Sequence, residues 1–173
     1  MGGFWKMESD CIKKEENIYF ACRKKAAETN EALGSRERAA ELLGIATSTL
    51  ANHELGITKN VPVDTVLMMS DLYHSPELRN MYCKNECPIG RYIPMATETD
   101  GLQGITVKIL NSLDDENIRN MKKALLDIAV DGQISEDETE TFEKIVKSLD
   151  VLATAISELR MLAEKSMVKM RGR

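Results

Sequence analysis

The chain has 173 residues, enough for one domain or two small ones, and is 43% hydrophobic but only 5% aromatic. Leu, Met, Ala, Glu and Lys are common, a composition that favours packed helices over sheets. No apolar run approaches the roughly 18 residues needed to span a bilayer, and no apolar stretch follows the basic start. A cytoplasmic protein with no membrane partner is therefore expected. The net charge of −5 excludes attraction to nucleic acid by bulk charge alone. Its distribution is uneven: residues 1–93 carry 12 Lys+Arg against 13 Asp+Glu, and residues 94–173 carry 11 against 15. A near-neutral first half can still present a locally basic face to phosphates.

Residues 1–16, with Trp5, Lys6, Lys13 and Lys14, read either as an arm reaching into a groove or as a packed helix extension. A first helical pattern follows at Ile18, Cys22, Lys25 and Ala26 and ends near Thr29 and Asn30. A second begins at Ser35, whose hydroxyl suits a helix N-cap, and stops at Gly44, which tolerates the left-handed turn after a helix. A third covers Thr47–Glu54 and closes at Gly56. A fourth follows Pro62, with Val63, Val66, Leu67 and Leu72 as its stripe, and a fifth runs from Ser75 to Tyr82. Helices over 36–43 and 47–55 joined by a tight turn at Gly44 and Ile45 give the helix-turn-helix spacing. Small Ala40 lets the two cross closely, while Ile45 and Leu50 fill the wedge between them.

The stretch from Ser35 to Gly56, Ser-Arg-Glu-Arg-Ala-Ala-Glu-Leu-Leu-Gly-Ile-Ala-Thr-Ser-Thr-Leu-Ala-Asn-His-Glu-Leu-Gly, resembles the lambda-repressor-like (Xre) family of helix-turn-helix regulators. The likeness continues through Pro62 to about residue 74, and Glu54-Leu55-Gly56 falls where that family usually has Glu-x-Gly. The resemblance implies a five-helix DNA-binding domain over 17–93. It also implies a recognition helix in which Thr47, Ser48 and Asn52 meet base edges. Arg36 stands where the family commonly has a Gln that touches a phosphate and braces the recognition helix; Arg adds charge to that grip. Ser35, Thr49, Thr58, Lys59 and Asn60 are the implied backbone contacts. Asn reads adenine through two hydrogen bonds, and Ser and Thr accept most bases. Two departures stand out: residues 47–54 contain neither Arg nor Lys, and His53 replaces a residue that is usually apolar and inward. His53 reads as a buried neutral imidazole with one hydrogen bond, or as a pH-sensitive group.

Residues 94–101, bracketed by Pro94 and Gly101 and without apolar period, read as a linker. Beyond it, 102–113 has Leu102, Ile105, Ile109 and Leu113 in register, and 114–130 is an amphipathic helix with Ile118, Met121, Leu125 and Ile128. After Gly132, Ser135 and Glu138 form a capping box for a helix running to about Lys169. Its stripe of Phe142, Ile145, Leu149, Leu152, Ile156, Leu159 and Ala163 keeps strict 3-4 spacing. That helix is roughly 50 Å long, about twice its predecessor, so part of the stripe has no cover within the chain. Leu149, Leu152, Ile156, Leu159 and Ala163 are the residues expected to pair with a second copy; a self-contained three-helix bundle is the alternative.

The remaining motifs are weaker. Of four cysteines (Cys11, Cys22, Cys83 and Cys87), only Cys83 and Cys87 are close in sequence. They read as reduced structural thiols or, with ligands from elsewhere, as a metal or redox pair. Asp127–Glu138 matches a calcium loop at several positions but has Ala129 where an oxygen ligand belongs, and a plain helical hairpin explains the same residues. No catalytic constellation or phosphate loop is present, so neither an enzyme nor a cofactor is expected. The combined expectation is an all-α homodimeric regulator of double-stranded DNA, with a C-terminal helical hairpin over 102–173 and an unknown small-molecule or protein effector. The rival is a helix-turn-helix-derived adaptor, antitoxin-like, with weak or no DNA binding.

Overall fold

The structure, a computed structural model, describes the backbone of residues 17–171 and the side chains of residues 17–167. The expected arm over 1–16 and Cys11 lie outside the described residues. Among them are eight α-helices, two short 3-10 turns and no strand, an all-α architecture. No described helix is long and apolar enough to cross a membrane. The chain divides into two compact units, one ending at Ile93 but including the helix from Ala163 onward, the other spanning Pro94–Leu162.

In unit 1 the first helix, α1, covers Ile18–Ala27 and is capped by Asn17, whose side-chain oxygen accepts the Tyr19 N–H at 2.9 Å. A 3-10 turn at Glu31–Leu33 leads to α2 (Arg36–Leu42), capped by Ser35. Next come α3 (Thr47–Glu54), α4 (Val63–Leu72) and α5 (Glu77–Asn85), then a 3-10 turn at Ile89–Tyr92. The fifth helix starts two residues later than its sequence pattern suggests. Ser70 and Ser75 bond each other across the corner, the Ser75 N–H reaching the Ser70 carbonyl at 2.9 Å and the Ser70 hydroxyl the Ser75 carbonyl at 3.0 Å. Those bonds hold His74 at a left-handed φ of 51° and keep 73–76 out of the helix.

The core of unit 1 is contiguous and gathers Cys22, Leu33, Ala40, Leu50, Val66, Met69 and Leu78 from its five α-helices and the first 3-10 turn. Each large buried side chain contributes roughly 1.5–3 kcal/mol relative to exposure. Two carboxylates tie polar groups into this packing. Glu86 accepts the Tyr19 hydroxyl and the Val61 N–H, the latter at 3.1 Å, joining α1 and the loop before α4 to the end of α5. Glu77 lies 3.1 Å from the Lys165 ammonium, and Arg79 pairs with Glu164, so residues 164 and 165 belong to the same packing. Burial pushes the Cys22 thiol up to about 12, which leaves it protonated and unreactive.

Unit 2 holds α6 (Gly101–Ser112), α7 (Asp115–Ile128) and residues 136–162 of α8 (Glu136–Arg171). Asp114 caps α7 by accepting from Glu116 and Asn117 N–H at 3.2 and 3.3 Å. Half of the capping box forms, the Ser135 N–H meeting the Glu138 carboxylate at 3.0 Å, while the Ser135 hydroxyl donates to that same carboxylate and the Glu138 N–H goes to the Ser135 carbonyl. Residues 94–100, expected as part of a linker, are bonded to α8 within this unit. The Ala96 N–H reaches the Ser157 hydroxyl at 3.3 Å, and the Asp100 N–H meets the carboxylate of buried Glu158. Lys108 from α6 lies 2.9 Å from the same carboxylate. Buried apolar side chains are sparse here: Ala96, Ile105, Ile128, Ile145, Ala155 and Met161.

Candidate nucleic-acid interface

The α2–α3 pair is built from its turn outward. Ser35 accepts the Arg38 N–H at 3.3 Å and donates to the Glu37 carboxylate at 2.7 Å, so its hydroxyl serves the start of α2. Gly44, at φ +66°, ends that helix, and the Ile45 N–H closes the turn on the Ala40 carbonyl at 3.0 Å. A residue with a Cβ would be strained at Gly44. Leu50, fully buried, drives α3 into the core beside Ala39 and Ala40. The first turn of α3 has no side-chain cap, because Ala46 occupies the N-cap position. The Ala46 carbonyl takes the Thr49 N–H at 2.9 Å and the Leu50 N–H at 3.1 Å.

The orientation of α3 is fixed at its other end by a buried ion cluster. Glu54, whose side chain is 0% exposed, is held by Arg23 through two bonds, Nε to Oε1 and Nη2 to Oε2, the second at 3.0 Å. The third nitrogen of Arg23, Nη1, donates to the Leu33 carbonyl at 2.8 Å. Arg36 closes the cluster, its Nε 2.8 Å from Glu54 Oε2, while 33% of its side chain stays exposed. One carboxylate thus joins α1, α2 and α3 and meets two guanidiniums, with the Glu37 carboxylate near enough to interact with both. The bond to Glu54 raises the Arg23 pKa above its ordinary value, so Arg23 stays charged despite its burial.

Asn52 and Ser48 are exposed, one turn apart on α3, and Thr47 and Thr49 are half-buried beside them. Lys59 and Asn60 are exposed in the loop between α3 and α4. Asn52 also serves this loop through its backbone, its carbonyl accepting the Ile57 N–H at 2.9 Å and the Thr58 N–H at 3.2 Å. Arg36 and Glu54 are brought together, and Arg36 is a brace of α3 whatever else it touches. Sequence reasoning missed Arg23 as Glu54's partner. The available signal was an Arg adjacent to Cys22 on the inward face of α1, where a charge needs a mate.

His53 is buried. Its Nδ1 lies 3.0 Å from the Thr58 hydroxyl, its Nε2 has no partner, and burial lowers its pKa below the usual 6.5. The Asn17 amide donates to the His53 carbonyl at 3.0 Å, a second link between α1 and α3. Cys83 and Cys87 are free and half-buried, and burial raises the Cys83 thiol, the opposite of what a reactive thiolate requires. Gly90 packs on the Cys83 backbone so closely that a Cβ there would sit 1.7 Å from the carbonyl oxygen. Among the described residues no three His, Cys, Asp or Glu side chains cluster to hold a metal ion. In the calcium-like loop, the Glu138 carboxylate is occupied by the Ser135 N–H and hydroxyl, and Asp131 accepts the Gln133 N–H at 3.0 Å.

The α8 stripe divides between two faces. Ile145 is buried and Phe142 and Leu152 are half-buried, whereas Leu149 is 43% and Ile156 46% exposed, with Leu159 and Ala163 exposed too. The buried face passes instead through Ala155, Glu158 and Met161. A helix of 3.6 residues per turn drifts against a strict 3.5 repeat, so an inward face and a 3-4 stripe separate along 36 residues.

Comparison of the chain with protein-family models, curated proteins and solved structures finds no match.

Proposed function

We propose that the protein is a sequence-specific double-stranded DNA-binding transcriptional regulator that acts as a homodimer. In this reading unit 1 is a five-helix lambda-repressor-like domain and α3 its recognition helix, while α7 and α8 form a hairpin whose long helix pairs two copies. The observation that carries it is a polar, exposed face on α3, Ser48 and Asn52 with Thr47 and Thr49, on a helix locked at its far end by a buried carboxylate. A base-reading helix needs that combination of small hydrogen-bonding side chains and fixed orientation, since bidentate contacts tolerate little displacement. Arg36 contributes positive charge at the rim where phosphates would pass, and Lys59 adds a second cation in the loop. Homodimerisation rests on unit 2, which leaves Leu102, Val107, Leu110, Leu126, Val130, Leu149 and Ile156 exposed around a small core. Apolar surface on that scale is removed from water by association.

A second reading, a protein-interaction adaptor, is favoured by one feature of unit 1. Leu55, Ile57, Val63 and Leu67 are exposed along the end of α3, the following loop and the start of α4. The two readings separate in a selection of genomic fragments by the purified protein at a stated salt of about 100 mM, since affinity for DNA depends steeply on salt. A shared palindrome with half-sites about one helical turn apart is the expected result, with Asn52→Ala relaxing a single base position. Recovery of no common sequence, or the same sequences with Asn52→Ala, would replace the regulator with the adaptor.

A further inference from the structure

Along α8, Val146, Leu149, Ala153, Ile156, Arg160 and Ala163 follow one another at alternating three- and four-residue steps. At 3.6 residues per turn they make one stripe, the a and d positions of a heptad seam. All are exposed except Ala153, which is half-buried. Five are apolar, and the sixth is an arginine in the middle of an otherwise greasy line.

Resting on the homodimer reading above, we propose that two copies of α8 pair antiparallel along this stripe, with Arg160 of each copy seated beside Asp150 of the other. A parallel pair in register sets every stripe residue against itself. It would stack Arg160 on Arg160, two like charges in a partly dehydrated seam, and like charges at such a contact are strongly unfavourable. It would also oppose Ala153 to Ala153 and Ile156 to Ile156, leaving a gap in one layer and crowding in the next.

The antiparallel arrangement centred between Ala153 and Ile156 removes both faults. Ala153 meets Ile156 and Val146 meets Ala163, so a large side chain faces a small one in both of these layers, as close packing asks. Leu149 meets the aliphatic stem of Arg160, and Asp150, the next residue along, stands beside the guanidinium. Two-fold symmetry makes this ion pair twice. Within one chain Asp150 and Arg160 are ten positions apart, about 15 Å along the helix, and so do not neutralise each other. A single polar residue at a core position is a known means of fixing register and orientation in paired helices.

The test is a photoreactive amino acid placed at position 149 of the full-length chain, an exposed site where substitution leaves the core intact, with irradiation and peptide mapping of the cross-linked dimer. Attachment to the peptide around Arg160 is expected. Alongside it, Asp150→Arg and Arg160→Asp should each weaken dimerisation by about tenfold or more, and the exchanged pair should recover it, because the charges face each other only in this arrangement. A dimer cross-linked from 149 to 149, or an exchanged pair that fails to recover, overturns the antiparallel seam and leaves the homodimer standing. A chain that stays monomeric across the micromolar range overturns the homodimer itself, and the seam with it.

Discussion

The two units solve the problem of burying a helical chain in opposite ways. In unit 1 every helix sends apolar side chains into one contiguous core, and charged residues also fix helices, Glu54 between Arg23 and Arg36 and Glu86 between Tyr19 and Val61. Unit 2 has longer helices and better capping, yet leaves more of its leucine, isoleucine and valine outside than inside. Helix length and capping therefore say little about whether a unit is complete. What distinguishes the two is whether the apolar faces find partners within the chain. Unit 1 gathers its apolar side chains into one core and leaves a polar face exposed on α3, whereas unit 2 leaves most of its own exposed, and in the proposed reading a second copy covers them.

This contrast is most sharply broken at Glu54. Glu54→Ala strands the buried Arg23 guanidinium and should destabilise unit 1 by about 3–5 kcal/mol, read as a shift in the urea midpoint. A loss below about 1 kcal/mol would mean that the ion cluster does not organise the fold. Leu50→Ala should cost about 2–5 kcal/mol in the same measurement through lost burial and the cavity left behind. In unit 2 the largest effect should come from the surface instead. Leu149→Asp and Ile156→Asp should abolish dimerisation and remove the concentration dependence of thermal unfolding, which mass action requires of a dimer but not of a monomer. An unchanged, concentration-independent transition in the parent chain would show that unit 2 is complete alone.

Acid should act on unit 1 through His53. Its folded pKa is lowered by burial, so the unfolded chain takes up the proton first. Stability is thus fully present above the ordinary His value near 6.5 and is lost as pH falls from there through the lower folded value. His53→Gln should flatten that part of the pH profile, and an unchanged profile would assign the loss to other groups. The smallest effect expected on folding is at the candidate interface: Asn52→Ala should leave stability within about 0.5 kcal/mol while costing about 1–3 kcal/mol of base discrimination.

The helices were legible in the sequence because their start and stop signals are local: Ser35, Gly44, Asp114, Gly132 and the Ser135–Glu138 pair each act on the residues beside them, and each sits at a helix end. Long-range pairings were not legible. That Arg23 would reach Glu54 across 31 positions, or that Glu158 would turn inward to meet Asp100 and Lys108, depends on how helices pack and leaves no mark in local spacing. The α8 stripe shows the intermediate case. Its period was visible, but which part faces the core depends on a slow drift around the helix, and Leu152 turned half inward while Leu149 and Ile156 stayed out. At the candidate interface the residues on α3 were legible as a polar face; the buried cluster that would hold that face still was not.

The most direct test of the account is a stoichiometric titration of purified protein onto a palindromic duplex recovered by the genomic selection, followed by fluorescence anisotropy at fixed salt. Two chains per duplex, with binding reduced by Asn52→Ala at one base position and with half-sites separated by about one turn of DNA, is the predicted result. Saturation by a single chain, or affinity equal to that for an unrelated duplex, would contradict it.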